Sequence, residues 1–469
     1  MVDDPTQELK PGLFVPPRAE RAAPERSVLL VSYLFPPVGG GGVQRALKMA
    51  RYLPEFGWRP IVVAVSQIPP GFPRDDRLLG ELPEDVSISR VPEPRMLRSL
   101  FTGVRSATAP AKEGPRRTDR PSPSTRIRGR LRRFLRGLRD HLLCPDERVF
   151  WVRPASSEGF ELTAERDVSA VLSTSGPVSN HLAARRIARA TGLPWIADFR
   201  DPWVGNIHWR DLPRGRQRRE ERMERRVLAD AHAITAVTKS FCEDYAARYP
   251  HHPVGLIYNG FDPADYRGLP EDPPSEAPLT LVYAGTLYPR RSPRIFFEAL
   301  RGLIDSGEVN RGDVRLIFAG TFDYSGHSEN RDLVEHLDLQ DSVFPVGNLA
   351  HRTVLELMAR ADGLLLIGDD DEEAGSYIPG KIYEYLALGK PVVGCLARGE
   401  ARDILEASGR ALICDPGDVG DAREMLRTFV ASRGRPGGGY DPDLSPYRRD
   451  HQAAQMAWIL DRLTGDNAD

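Results

Sequence analysis

The sequence predicts an α/β protein made of two doubly wound parallel-sheet domains. Three observations predict it. The chain has 469 residues, more than one hydrophobic core normally organises, so two domains of about 200 residues each are the default. Short β-rich runs alternate with helical patterns along most of it, as in a parallel sheet covered on both faces. The alternation stops at a Pro- and acid-rich stretch, "LPEDPPSEAP" (269–278), and then starts again.

Taken in order, residues 1–24 are polar and Pro-rich and are expected to be a disordered tail. "SVLLVSYLF" reads as a buried strand, "GVQRALKMARYLPEF" as a helix with Val43, Leu47, Ala50 and Leu53 near helical spacing, and "WRPIVVAVS" and "DVSISRVP" as strands. The rhythm breaks over 95–140. It resumes with "VSAVLSTS", a helix through "NHLAARRIARATG", and the strands "PWIADF", "AHAITAVT" and "VGLIYNGF". After the linker come "LTLVYAGT", "VRLIFAGT", "SVFPVGN", "GLLLIGD", "PVVGCLA" and "ALICD". The repeated "AGT" places glycine at the end of two strands. "RRDHQAAQMAWILDRLTG" reads as a last helix. The expected division is a first domain over 25–266 carrying the insert 95–140, a linker over 267–278, a second domain over 279–433, and a C-terminal helix over 446–469.

Composition narrows the classes. Hydrophobic residues make up 41%, and the net charge of −2 gives no global attraction to nucleic acid or anionic membranes. No apolar run approaches the roughly 20 residues of a membrane span. The opening "MVDDPTQELKPG" lacks the basic and apolar halves of a secretory signal. Cys144, Cys242, Cys395 and Cys414 have neither metal nor redox spacing and read as reduced packing thiols of a cytoplasmic protein.

"FPPVGGGGVQRALKMARYLPEFGW" sets a glycine run between the first strand and the first helix. In such sheets ligands bind beyond the C-terminal strand ends. Gly40, Gly41 and Gly42 would let backbone amides approach an anion, and the helix offers its positive end. A nucleotide phosphate is the expected guest; a loop that merely needs tight turns is the alternative. The run matches neither G-x-x-x-x-G-K-[ST] nor G-x-G-x-x-G.

This block, with "STSGPVSNHLAARRIARATGLPWIADFRDPW", "AITAVTKSF", "IYNGFDPADY", "LVYAGTLYPRR" and "PGKIYEYLALGKPVV", resembles the retaining GT-B glycosyltransferases of the family 4 (group 1) type. The resemblance covers about 27–93 and 144–430. It implies two Rossmann-like domains facing a cleft, a nucleotide-sugar held mainly by the second domain, an acceptor held by the first, and a last helix crossing back to the first. It also implies that Glu384 binds the ribose hydroxyls, a task that suits a carboxylate because it accepts two hydrogen bonds at once. Gly380 and Lys381 stand on the turn before it, where amides and an ammonium can neutralise a diphosphate. In "AGTLYPRR", Gly285 precedes Thr286, which stands where relatives often have Arg, and Arg290 or Arg291 stands where they have Lys. Ser376 occupies the position of a family glutamate near the sugar. "VFPVGNL" either presents backbone groups to the base or is an ordinary strand-end loop. "GDDDEEAG" (368–375) reads as a hydrated acidic loop; no metal and no cofactor are expected.

On the acceptor side, "STSGPVSNH" and "DFRDPW" end two strands. Ser175 or its neighbour falls where relatives often carry His, and His181, further along on the helix, reads as a surface histidine. Asp198, Arg200 and Asp201 offer a carboxylate to orient the acceptor hydroxyl or take its proton, or else form a structural ion pair. No nucleophile emerges; the resemblance implies reaction on one face, the leaving phosphate taking the acceptor's proton.

Residues 95–140 hold fourteen Arg or Lys against three acids, a local net of +11. "TRIRGRLRRFLRGLRDHLL" puts Ile127, Leu131, Phe134, Leu135, Leu138 and Leu142 on one helical face with arginine elsewhere, a pattern that lies well on an anionic membrane. Packing on its own domain and a nucleic-acid arm compete with this; a single aromatic in that helix argues against base stacking. The expectation is therefore a cytoplasmic transferase, peripheral on the inner membrane face through 126–143, moving a hexosyl or hexosaminyl group from a UDP- or GDP-sugar to a saccharide or lipid-linked acceptor with retention, in polysaccharide or glycolipid biosynthesis, with no nucleic-acid partner. A silent nucleotide-sugar-binding protein and a GT-B epimerase are the alternatives.

Overall fold

The computed structural model describes residues 9–94, 143–207, 209–270, 278–288, 290–324, 328–369, 375–434 and 442–465. The insert 95–140 and most of the helix expected over 126–143 lie outside these residues. The chain divides into two compact units, one of 1–237, 241–257 and 452–469, the other of 238–240 and 258–451.

The first unit holds an eight-stranded sheet in the order β1-β8-β7-β6-β5-β2-β3-β4. Its strands are β1 (Gly12–Phe14), β2 (Ala22–Val31), β3 (Phe56–Val65), β4 (Ser87–Val91), β5 (Val168–Thr174), β6 (Trp195–Phe199), β7 (Ala233–Ala236) and β8 (Pro253–Leu256). Every pairing is parallel. Central strands of such a sheet are covered on both faces, which is why they read as unbroken apolar runs. Val28, Leu29, Leu30 and Val31 accordingly have no exposed surface. The helices are α1 (Gln44–Tyr52), α2 (Val152–Glu165), α3 (Ser179–Thr191), α4 (Arg214–Leu228) and α5 (Lys239–Arg248). Gly192 ends α3 in the left-handed conformation, φ 75°.

The second unit holds a six-stranded parallel sheet, β11-β10-β9-β12-β13-β14. Its strands are β9 (Leu279–Ala284), β10 (Val314–Ala319), β11 (Val343–Gly347), β12 (Gly363–Ile367), β13 (Val392–Cys395) and β14 (Ala411–Cys414). Its helices are α6 (Arg294–Asp305), α7 (Glu329–His336), α8 (His351–Ala359), α9 (Lys381–Leu388), α10 (Glu400–Ala407) and α11 (Val419–Ala431). One face of the sheet packs on α6, α7 and α11 through Phe297, Leu300, Leu333, Leu426 and Phe429. The other packs on α8, α9 and α10 through Leu355, Met358, Ile382, Tyr385 and Leu405.

Two strand-order reversals position the candidate sites. From β2 the chain runs outward to β3 and β4, then returns to the other side at β5. From β9 it runs to β10 and β11, then returns at β12. Crevices open beyond the C-terminal strand ends at such reversals. In the second unit the crevice has a visible cause. β9 and β12 pair only at Leu281 with Gly363 and Val282 with Leu364. Beyond that the Tyr385 hydroxyl enters between them, donating to the Leu365 carbonyl (3.2 Å) and accepting from the Ala284 amide (3.3 Å). The phenol satisfies backbone groups that a ladder would otherwise pair.

Residues 9–24 of the segment expected to be a disordered tail are ordered. Gly12–Phe14 extends the sheet beside β8, and Leu9, Phe14 and Ala19 pack against the core. Residues 258–266, expected in the first domain, cluster with the second unit. The C-terminal helix α12 (Arg449–Thr464) belongs from Gln452 onward to the first unit. There Ala453, Ala454, Met456, Ala457, Ile459 and Leu460 are almost wholly buried.

Candidate functional site

In the first unit, three loops leave the strand ends around β2. The glycine run forms a short 3-10 turn, Gly41–Val43, leading into α1, with no side-chain cap. Gly40 has φ 100°, a conformation that needs glycine, and Gly40 and Gly41 are exposed. Gly42 is the close approach: a methyl there would lie 3.1 Å from Arg200 Nη1. A methyl at Gly176, φ 92°, would lie 2.7 Å from Arg200 Nη2. The Arg200 guanidinium therefore lies against two bare backbones. Its other neighbour is Asp201, 3.3 Å away and half-exposed.

Ser175 and Asp198 are not placed for substrate. The Ser175 hydroxyl accepts from the Arg200 amide (2.9 Å) and donates to the Asp201 carbonyl (3.3 Å), so it braces the loop that carries Arg200. Asp198 is buried in a bidentate pair with Arg45 of α1, 2.7 and 2.6 Å. It also accepts from Thr174 and Thr235, each at 2.7 Å. Burial alone would raise its pKa; Arg45 and the two hydroxyls outweigh burial and hold it below the usual carboxylate range. A carboxylate with four such contacts is neither a free base nor reachable by an acceptor. The ion-pair alternative holds for Asp198, but with Arg45 as partner instead of Arg200.

His181 is likewise not on the surface. It is fully buried between Trp195 and Phe199, with Nδ1 2.8 Å from the Ser173 hydroxyl. Burial pushes its pKa down to about 3. The helix pattern misplaced it because α3 buries its first turn beneath the β5 loop, Asn180 tying the Thr174 carbonyl to the Tyr33 amide.

The second unit presents the more pointed arrangement. Gly285, Gly320 and Gly347 end three adjacent strands with φ 124°, 129° and 73°. They are laced by two hydrogen bonds of 2.7 Å, from the Gly285 amide to the Ala319 carbonyl and from the Gly320 amide to the Gly347 carbonyl. A methyl on Gly320 would sit 2.3 Å from the Gly285 oxygen, so only glycine fits. Against this bare edge stands Lys381, the first residue of α9. Its stem is half-exposed, but Nζ is buried and has no hydrogen-bond partner among the described residues. It rests 3.6 Å from the centroid of the Tyr283 ring and 3.3 Å from where a Gly285 methyl would be. Burial, then the nearby Arg291, pulls its pKa down to about 7.

Arg291 gives its Nε and Nη2 to Asp369 at 3.0 and 2.9 Å, so the fork expected to grip phosphate is already engaged and only the Nη1 edge remains. Arg290 is exposed, and Thr286 is half-buried, its carbonyl accepting from Tyr283 (3.1 Å). Gly380 is exposed before α9. Glu384 lies in the first turn of α9, 34% exposed, with His351 Nε2 3.6 Å from its Oε1. Ser376 is half-buried, and residues 370–374 of the acidic stretch lie outside the described residues. Among the described residues no cluster of His, Cys, Asp or Glu is shaped for a metal.

The sequence reading missed Arg45, Gly320, Gly347, Tyr283, Tyr385 and His351 as site-building residues. The "AGT" repeat and "PVGN" carried a signal for the two glycines; nothing local marked the others.

Two parallel sheets, each with a bare strand-end crevice at its reversal, define a two-domain α/β protein. The family model for glycosyl transferases group 1 matches residues 278–431, and that for glycosyltransferase family 4 matches 39–265. The chain belongs to this glycosyltransferase family. Solved structures agree on the GT-B fold. Anabaena Alr3699/HepE in complex with UDP has a TM-score of 0.54 at 14% identity, covering 93% of this chain and 94% of its own. Sucrose-phosphate synthase from Thermosynechococcus elongatus gives 0.51 at 16%, covering 93% and 94%. TarM gives 0.55 at 9%, covering 93% and 95%. No curated protein matches the sequence.

Proposed function

We propose that this glycosyltransferase moves a hexosyl or hexosaminyl group from a UDP- or GDP-sugar to a saccharide or lipid-linked acceptor with retention. The observation that carries the donor side is Lys381. A buried ammonium without a hydrogen-bonding partner is costly, and one at a helix start against the Gly285 strand end is completed by an anion. A diphosphate fits, with Arg291 Nη1 as a second cation and Glu384 accepting from the ribose hydroxyls. The UDP in the HepE structure is in keeping with this choice. Fixed cations stabilise the charge that grows as the bond to the leaving diphosphate breaks, the task a divalent ion performs elsewhere.

On the acceptor side, Arg200 and Asp201 are the groups left at the surface, with Gly42 and Gly176 against the Arg200 guanidinium. The C1–phosphate bond breaks, the acceptor oxygen bonds C1 on the same face, and its proton passes to the leaving phosphate. The protein contributes position and charge.

Membrane attachment belongs to the same reading. Besides the basic insert, α4 exposes Arg214, Arg218, Arg222, Arg225 and Arg226 along one face, opposite its buried Glu220, Glu224, Val227 and Leu228. Among the described residues no helix is long and apolar enough to cross a membrane. Such a surface suits a cytoplasmic enzyme of polysaccharide or glycolipid synthesis held on anionic lipid.

Calorimetry with UDP and GDP tests the donor assignment. The preferred nucleotide should bind the wild type and largely fail on Glu384→Ala, while circular dichroism shows the fold intact. Equal affinity in both proteins would remove Glu384 from the site.

A further inference from the structure

We infer that His351 is a second recognition residue of the nucleotide site, one that makes it select ribose over deoxyribose nucleotides. The inference rests on the donor reading above and goes beyond it by naming the feature of the ligand that is read.

His351 is held in place by its neighbour. Arg352 donates from Nη1 to the carbonyls of Asp265 (3.1 Å) and Arg267 (3.0 Å), and from Nη2 to that of Gly268 (3.0 Å). Its Nε reaches Glu356 at 3.1 Å. The three bonds to carbonyls pin the first turn of α8 to the 265–268 segment, and the one to Glu356 ties Arg352 along its own helix. α8 and α9 share one face of the sheet through Leu355, Met358, Ile382 and Tyr385. The first turns of the two helices therefore stand side by side, which brings His351 Nε2 to 3.6 Å from Glu384 Oε1. Tyr266, within the same pinned segment, is half-buried and near enough to feel the Glu384 charge.

The chemistry follows from the donor inventory. A carboxylate accepts only, so the His351 tautomer that suits this neighbour is the one with its hydrogen on Nε2. At 3.6 Å the pair is too long for a good hydrogen bond. A hydroxyl seated on the carboxylate comes within reach of Nε2. A ribose diol matches both groups: its O–H groups donate to Glu384, and one of its oxygens accepts from His351. A 2′-deoxyribose keeps one donor to the carboxylate and loses the oxygen that accepts from His351, so it forgoes that hydrogen bond.

The test is calorimetry of the full chain with UDP, 2′-deoxy-UDP, GDP and 2′-deoxy-GDP, on wild type, His351→Leu and His351→Gln. Wild type should favour the ribonucleotide of its preferred base. In His351→Leu that preference should fall about fivefold or more, the worth of one hydrogen bond, with the deoxynucleotide bound as in wild type. His351→Gln, whose amide N–H lies near the Nε2 position, should restore part of it. An unchanged ribose-to-deoxyribose ratio in His351→Leu overturns the inference while leaving the donor site standing. Failure of all four nucleotides to bind wild type overturns the donor reading itself.

Discussion

Replacing Lys381 by Met should make the protein more stable and less able to bind a nucleoside diphosphate. Moving a lysine from 10.5 to about 7 corresponds to roughly 5 kcal/mol at about 1.4 kcal/mol per pH unit, and at pH 7 roughly 4 kcal/mol of this burdens the folded state. Against that, Met forfeits the contact of the ammonium with the Tyr283 ring, about 2 kcal/mol when desolvated. The net gain is therefore about 2 kcal/mol, or about 4–8 °C in melting temperature for a domain of this size. The sign of the pH dependence is opposite to that of a paired lysine. The folded-state pKa lies below the unfolded one, so the penalty is fully present below pH 7 and fades as pH rises from about 7 to 10.5. The advantage of Lys381→Met should fade over the same window. Binding moves the other way: loss of a charge-assisted hydrogen bond costs about 1.5–3 kcal/mol, and the wild-type affinity itself should weaken above pH 7 as the ammonium deprotonates. Differential scanning calorimetry from pH 6 to 10, with and without UDP or GDP, measures both. A Lys381→Met variant that melts lower than wild type at pH 7, or binds the diphosphate unchanged, would refute the reasoning.

Asp198→Asn should cost about 3–5 kcal/mol, because it strands the buried Arg45, while donor affinity in the folded fraction stays the same; urea melts and calorimetry separate the two. Gly320→Ala should destabilise by about 2 kcal/mol or more, since its methyl meets the Gly285 oxygen at 2.3 Å; Gly41→Ala, with open space around it, should melt near wild type. Charge reversal at Arg218, Arg222 and Arg225 should weaken co-sedimentation with anionic vesicles, with each basic residue near the surface worth about 1 kcal/mol, and leave turnover of a soluble acceptor alone; a wild-type protein that stays in the supernatant would end the membrane reading.

The α/β rhythm was legible because buried parallel strands carry their signal in every residue, as in "SVLLVSYLF" and "GLLLIGD". The glycine strand ends were legible for a similar reason: a backbone that must take positive φ, as at Gly285, has one residue type to choose from. Partnership was not legible. Whether Asp198 meets a substrate or Arg45 depends on two residues 153 positions apart in the chain, and no local pattern reports that distance. His181 looked polar and exposed because its helix is amphipathic, yet its first turn faces inward. Arg291 was chosen for its charge, and the Asp369 that occupies it sits in an acidic stretch whose residues look alike. The tail over 1–24 is poor in apolar residues, but an edge strand needs only a few, and Phe14 suffices.

The last helix carries a consequence for how the molecule is made. Met456, Ile459 and Leu460 close the core of the first unit, yet they follow the whole of the second in the chain. A ribosome releases the first sheet long before it releases the side chains that cover it. Contacts at such separation form late and slowly, so the nascent first unit must wait, partly open, while about 190 residues of its neighbour are synthesised and fold as a unit of their own. Anything that stalls elongation within the second unit would expose an unfinished first one to proteases and to other chains.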